Sequence, residues 1–156
     1  MLKIGGVMNK ICNFYINDAH LSVVLFEYIK KQVNEGTKII VVSQDDKKMN
    51  MRSLKEKFSK SKMEPKIDFL NDKTIDNLYE NENITIVIKG DKEFILKIEN
   101  NFSRLFREEN INVDILSCYN IKDSNISEIS SKYNQILNTK GLCNLYNKEE
   151  ENLQKI

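Results

Sequence analysis

The sequence predicts an α/β protein: a single three-layer domain whose doubly wound, mainly parallel sheet of five or six strands carries helices on both faces. Three observations predict it. Short apolar runs alternate with segments whose apolar residues recur at helical spacing. One run, residues 37–43 (TKIIVVS), is uninterrupted and β-branched, the mark of a strand covered on both faces. The intervening helices reach ten residues or more, enough for right-handed crossovers between parallel strands.

Element by element, residues 10–16 (KICNFYI) read as the first strand, closing on Phe14-Tyr15. A helix starts at Asn17 or Asp18, either of which can cap it, and sets Leu21, Val24, Leu25, Tyr28, Ile29 and Val33 on one face. Gly36 stands where a left-handed C-terminal residue is wanted. After the strand 37–43 come a polar helix over 49–60, stopped before Pro65, a strand over 66–70 and a short helical stretch over 74–80. Residues 83–88 (NITIVI) form a fourth strand. The clearest helix runs over 91–109, with Asp91 as its cap and Phe94, Ile95, Ile98, Phe102, Leu105 and Phe106 as its apolar stripe. A fifth strand over 112–117 ends at Cys118-Tyr119-Asn120. The last core helix is expected over 124–138, with Ile126, Ile129, Tyr133, Ile136 and Leu137 inward. A short strand or turn follows. The expected division is an extension over 1–9, the α/β domain over 10–146 and a charged tail over 147–156.

Composition excludes several classes. At 156 residues the chain supports one ordinary domain rather than two. A net charge of +1 gives no global attraction to nucleic acid or anionic membrane. No apolar run approaches the ~18–20 residues of a membrane span, and the N-terminus lacks a secretory apolar region. Three cysteines, Cys12, Cys118 and Cys143, without CxxC spacing read as reduced thiols, so the expected compartment is the cytoplasm.

Parallel sheets of this kind bind ligands beyond the carboxyl ends of their strands. That rule marks Tyr15, Asn17, Asp18 and His20, residues 43–46, Asn71 and Asp72, residues 89–91, and residues 118–120 as the candidate surface.

The order ICNFY, FEYIKKQVNEGTKIIVVS, IENNFSRLF and VDILSCYN resembles the MEDS domain, a sensory domain of methanogens, methylotrophs and a dichloromethane-responsive repressor. Phe14-Tyr15, Gly36, Glu99 and Cys118-Tyr119 stand at the matching places, over residues 10–141. Where that family often carries two histidines, this chain has Lys10 and Tyr133, and Cys118-Tyr119 is one residue shorter than Cys-Gln-Tyr. The resemblance implies a RecA- or KaiC-like fold without nucleotide-hydrolysis motifs. It also implies small-molecule sensing beside a histidine kinase or transcription regulator, and a functional or pairing role for Glu99.

Sharper chemistry finds little support. The glycines (Gly5, Gly6, Gly36, Gly90, Gly141) never approach the spacing of a phosphate-cradling loop. Asp45, Asp46 and Asp72 follow strands, but the Ser or Thr and Lys of a phospho-receiver are not in order behind them. A single histidine, His20, rules out a multi-His metal site, and in a first helical turn it reads as a surface residue. Cys12 and Cys118 read as inert packing, and Glu99 by position alone as a solvated charge. Residues 47–62 hold seven basic residues against Glu56; without interleaved aromatics this is a solvated helix face rather than a nucleic-acid contact.

The expected function is therefore a stand-alone sensory or regulatory domain, not an enzyme. It binds a small molecule at Tyr15, Asp18, His20, Gln44 and Tyr119, with Cys118 behind them, and signals to a protein partner without a cofactor or metal. The alternative is a degenerate RecA-like interaction or assembly module with no ligand, and self-association is compatible with either.

Overall fold

Runs of apolar and β-branched residues form the strands of one sheet: β1 (Met8–Tyr15), β2 (Lys38–Ser43), β3 (Ile67–Leu70), β4 (Asn83–Lys89), β5 (Asn112–Asn120), β6 (Gln135–Asn138) and β7 (Gly141–Asn144). Their order is β3-β2-β4-β5-β1-β6-β7. The first six are parallel, and β7 returns antiparallel on β6. Helices α1 (Asp18–Asn34), α2 (Lys92–Glu109) and α3 (Ile126–Ser130) lie between strands. This computed structural model describes residues 8–44, 56–57, 67–70, 83–109, 112–123 and 125–145. The expected helical stretch 74–80, most of the basic helix, and Asp45, Asp46 and Asp72 lie outside them. No helix among the described residues is long and apolar enough to cross a membrane.

The chain moves one way along the sheet from β1 to β2 and the other way from β4 to β5. Crossovers of one hand then require helices on opposite faces. The buried residues divide accordingly. Leu21, Leu25 and Ile29 of α1 pack with Ile11, Ile39, Val41, Val87 and Leu116. Ile95, Ile98, Phe102 and Phe106 of α2 pack with Ile40, Val42, Ile86, Ile88 and Ile115. Alternate residues of each strand thus serve alternate cores. Phe102 and Phe106 stack at 5.5 Å, and burying each stabilises by about 1.5–3 kcal/mol.

Helix ends follow the sequence signals. Asn17 caps α1 by accepting from the His20 N–H at 2.8 Å. Gly36 takes φ +84° with nothing near its missing Cβ, so the backbone conformation alone calls for glycine there. Asp91 caps α2 by accepting from the Phe94 N–H at 2.8 Å.

The expected helix over 124–138 is corrected. Only Ile126–Ser130 is helical, and Gln135–Asn138 forms β6. The free side of β1 decides this. Asn134 N–H donates to Lys10 O at 2.8 Å, Lys10 N–H to Asn134 Oδ1 at 2.9 Å, and Asn13 Nδ2 to Leu137 O at 2.9 Å. A continued helix would leave the buried Asn13 amide without this acceptor and the Lys10 backbone without these partners. The fifth strand also runs on to Asn120, so Cys118 and Tyr119 lie inside it rather than beyond it.

Candidate functional site

At the carboxyl end of β1 the chain turns directly into α1. Asn17 and His20 hold that turn reciprocally: Asn17 accepts from the His20 N–H, and His20 Nδ1 accepts from the Ile16 N–H at 3.3 Å. Asp18 therefore sits in the first turn, beside the N–H groups that favour negative charge. Its Oδ1 lies 3.1 Å from Nζ of Lys89, the last residue of β4. Alternation along NITIVIK turns Lys89 to the α1 face with Val87. The Lys89 side chain is 7% exposed and its partner Asp18 48%. The Lys89 ammonium also stands 5.7 Å from the Tyr15 ring centroid. Behind it lies Cys118, adjacent to Lys89 in the β4–β5 register. Burial pushes the Cys118 thiol up, while the Lys89 ammonium pulls the other way.

One strand pair away, Gln44 closes the ends of β2 and β4. Its Nε2 donates to Asp91 Oδ2 at 2.8 Å, and its Oε1 accepts from the Asp91 N–H at 2.7 Å. The Phe94 N–H and then Gln44 hold the Asp91 carboxyl below its usual range. Gly90 makes this approach feasible: a Cβ there would meet Phe94 and stand 2.9 Å from Gln44 Oε1.

The opposite face carries a second polar centre. Glu99 on α2 is 2% exposed, which corrects its reading as a solvated charge. Its Oε2 accepts from Ser117 Oγ and from Tyr133 OH, each at 2.5 Å, and Lys10 Nζ lies 3.5 Å from Oε1. Tyr119 OH is 2.5 Å from Tyr133 OH. With the Tyr133 proton given to Glu99, Tyr119 donates to Tyr133. Lys10 Nζ lies 4.9 Å from the Tyr133 ring centroid, and Tyr119 stacks on Phe14 at 5.8 Å. Burial pushes the Tyr133 phenol up, and the Glu99 carboxyl pushes it further; burial likewise raises Tyr119. Burial also lifts the Cys12 thiol to about 12.

The predicted residues thus divide. Tyr15, Asp18 and Cys118 converge, joined by Lys89. Gln44 clasps Asp91, and His20 serves the α1 cap. Tyr119 lies on the other face, so it and Cys118 cannot line one crevice. Lys89 is marked in the sequence only as one of residues 89–91 of the candidate surface, although alternation within its own strand is enough to aim it. Ser117 was read as a strand end. Lys10, singled out through the resemblance alone, and Tyr133, singled out by it and expected inward on a helix, meet at Glu99. Among the described residues no group of three His, Cys, Asp or Glu side chains could hold a metal ion. No protein-family model matches the chain, and no curated protein matches it.

Proposed function

We propose that the chain is a non-catalytic sensory or regulatory module that binds a small, negatively charged molecule at Lys89 and signals through a protein partner. Lys89 carries this reading: it is a buried ammonium at the carboxyl ends of a parallel sheet, held by a half-exposed carboxylate. A buried charge is costly unless it is paired. A ligand carboxylate or phosphate can compete with Asp18 for that ammonium beside the start of α1. Displacing Asp18 alters the first turn of α1 and the end of β1, and favours one arrangement of the surrounding loops. Phe14 and Tyr15 project to opposite faces of β1 and join the crevice to the Glu99 centre. The MEDS resemblance supports the same reading, because Lys10, Glu99, Tyr119 and Tyr133 meet in one network. A histidine kinase or transcription regulator is the partner that resemblance suggests.

Thermal unfolding of the native chain and Lys89→Met, with acetate, longer carboxylates, inorganic phosphate, nucleotides and magnesium, tests it. An anion at about 100 times its Kd should stabilise the native chain by about 2.7 kcal/mol and leave Lys89→Met unmoved. Nucleotide turnover, an equal shift in both proteins, or no shift by any anion would overturn the proposal.

A further inference from the structure

One buried polar atom on the α1 face of the sheet has no role in the fold. Asn13 is 1% exposed and lies between Ile11 and Tyr15, which place it on the α1 face of β1. Its Nδ2 donates to Leu137 O at 2.9 Å, but its Oδ1 is buried without a hydrogen-bond partner. An amide oxygen left in that state is costly and rare in native chains. The other two such atoms among the described residues, Tyr28 OH and Thr85 Oγ1, belong to hydroxyls that stand together. Asn13 has no such neighbour.

Asn13 stands at one end of a row that crosses three strands. It is beside Cys118 in the β1–β5 register, and Cys118 is beside Lys89 in the β4–β5 register. All three side chains turn to the α1 face. Neighbouring strands lie about 4.8 Å apart, so the Lys89 and Asn13 backbones are separated by about 10 Å. The Lys89 side chain shortens that span, because its ammonium stands 5.7 Å from the ring of Tyr15, also on β1. Cys118, between the two, is the smallest side chain of the row. Asp18 holds the other end, with its Oδ1 3.1 Å from Lys89 Nζ.

We propose that Asn13 Oδ1 sets the specificity of the Lys89 site, and that the ligand is a short hydroxy carboxylate. The assignment rests on the anion-binding reading of Lys89. The carboxylate replaces Asp18 on the ammonium, and the hydroxyl lies over Cys118 and donates to Asn13 Oδ1. A hydroxyl on the second or third carbon spans the two groups with one hydrogen bond at each end. A hydroxyl suits the amide better than an ammonium, because a second cation beside Lys89 is repelled in a buried site. A plain carboxylate satisfies Lys89 and leaves the amide oxygen as it was.

Equilibrium titration of the native chain with matched pairs tests this: propionate with lactate, and butyrate with 3-hydroxybutyrate. At least one hydroxy acid should bind about tenfold tighter than its parent acid. Asn13→Leu should abolish that preference and keep the parent acids, whereas Lys89→Met should lose all four. The native comparison decides alone if a variant fails to fold. Equal binding within both pairs, or a preference that survives Asn13→Leu, would overturn the proposal and leave the Lys89 reading standing. Alanine bound more tightly than lactate would overturn it too. Binding by none of the four would overturn it as well, and the phosphate and nucleotide titrations then decide the Lys89 reading.

Discussion

Two polar centres occupy opposite faces of the same sheet, and they differ in how they meet water. The Glu99 centre is the more closed: a buried carboxyl group takes two buried hydroxyl donors, the buried Tyr119 extends the chain, and water reaches only the Lys10 side chain, 32% exposed. The Lys89 centre is half open, a buried cation matched by a carboxylate that water reaches. A closed centre ties elements together and loses heavily when one member goes. An open one can exchange its internal partner for an outside one. The same ingredients, a carboxylate, a lysine and a tyrosine, serve packing on one face and suit recognition on the other.

Glu99→Leu tests the difference most severely. It leaves the Ser117 and Tyr133 hydroxyls without their acceptor and Lys10 without its counter-charge, and should cost about 3–5 kcal/mol in urea unfolding. Lys89→Met removes the buried charge and leaves Asp18 in water, so its cost should be about 1 kcal/mol or less. Equal losses would erase the distinction between the two centres.

A smaller effect separates them by pH. Burial favours the protonated phenol of Tyr133, whose usual value is 10.0. Above that pH an unfolded tyrosine loses its proton while the folded one keeps it. The unfolded state then binds fewer protons, and stability falls as pH rises. Tyr133→Phe should flatten that decline by up to about 1.4 kcal/mol per pH unit above 10, read as urea midpoint against pH. Tyrosinate absorbance from Tyr133 appearing near pH 10 while the chain is still folded would show the centre to be open.

The two centres were unequally legible in the sequence. Strands β1 to β5, α1, α2 and both caps follow from periodicity and capping residues, because those signals are local. The carboxyl-end rule put Tyr15, Asp18 and residues 89–91 on one surface, and alternation within NITIVIK could have chosen Lys89 among them. Glu99 was harder. Its helix reads Lys97-Ile98-Glu99-Asn100, and nothing local reveals that Ser117 and Tyr133 wait across the interface. Tyr133 itself was expected inward, but on a helix. The apolar spacing of 126, 129, 133, 136 and 137 fits a helix, and the unpaired side of β1 outweighs it by drawing Gln135–Asn138 into the sheet. Hydrogen-bond demand from a distant strand is invisible in a window of fifteen residues.

The finest test asks whether the two centres communicate. Asn17→Ala removes the cap of α1 and should cost about 1 kcal/mol, with Asn17→Asp keeping most of it. The first turn it loosens is the one that presents Asp18 to Lys89. Glu99→Gln perturbs the other face while preserving a carbonyl acceptor. If β1 insulates the faces, the two losses add within about 0.5 kcal/mol, as for distant independent sites. The sensory reading requires them not to add, because Tyr15 beside Lys89 and Phe14 against Tyr119 are consecutive residues of one strand. A change at Asp18 that moves the end of β1 must disturb the stacking of Phe14 on Tyr119, and with it the hydroxyl chain that ends at Glu99. Strict additivity in the double variant would leave ligand binding at Lys89 with no physical route to the far face.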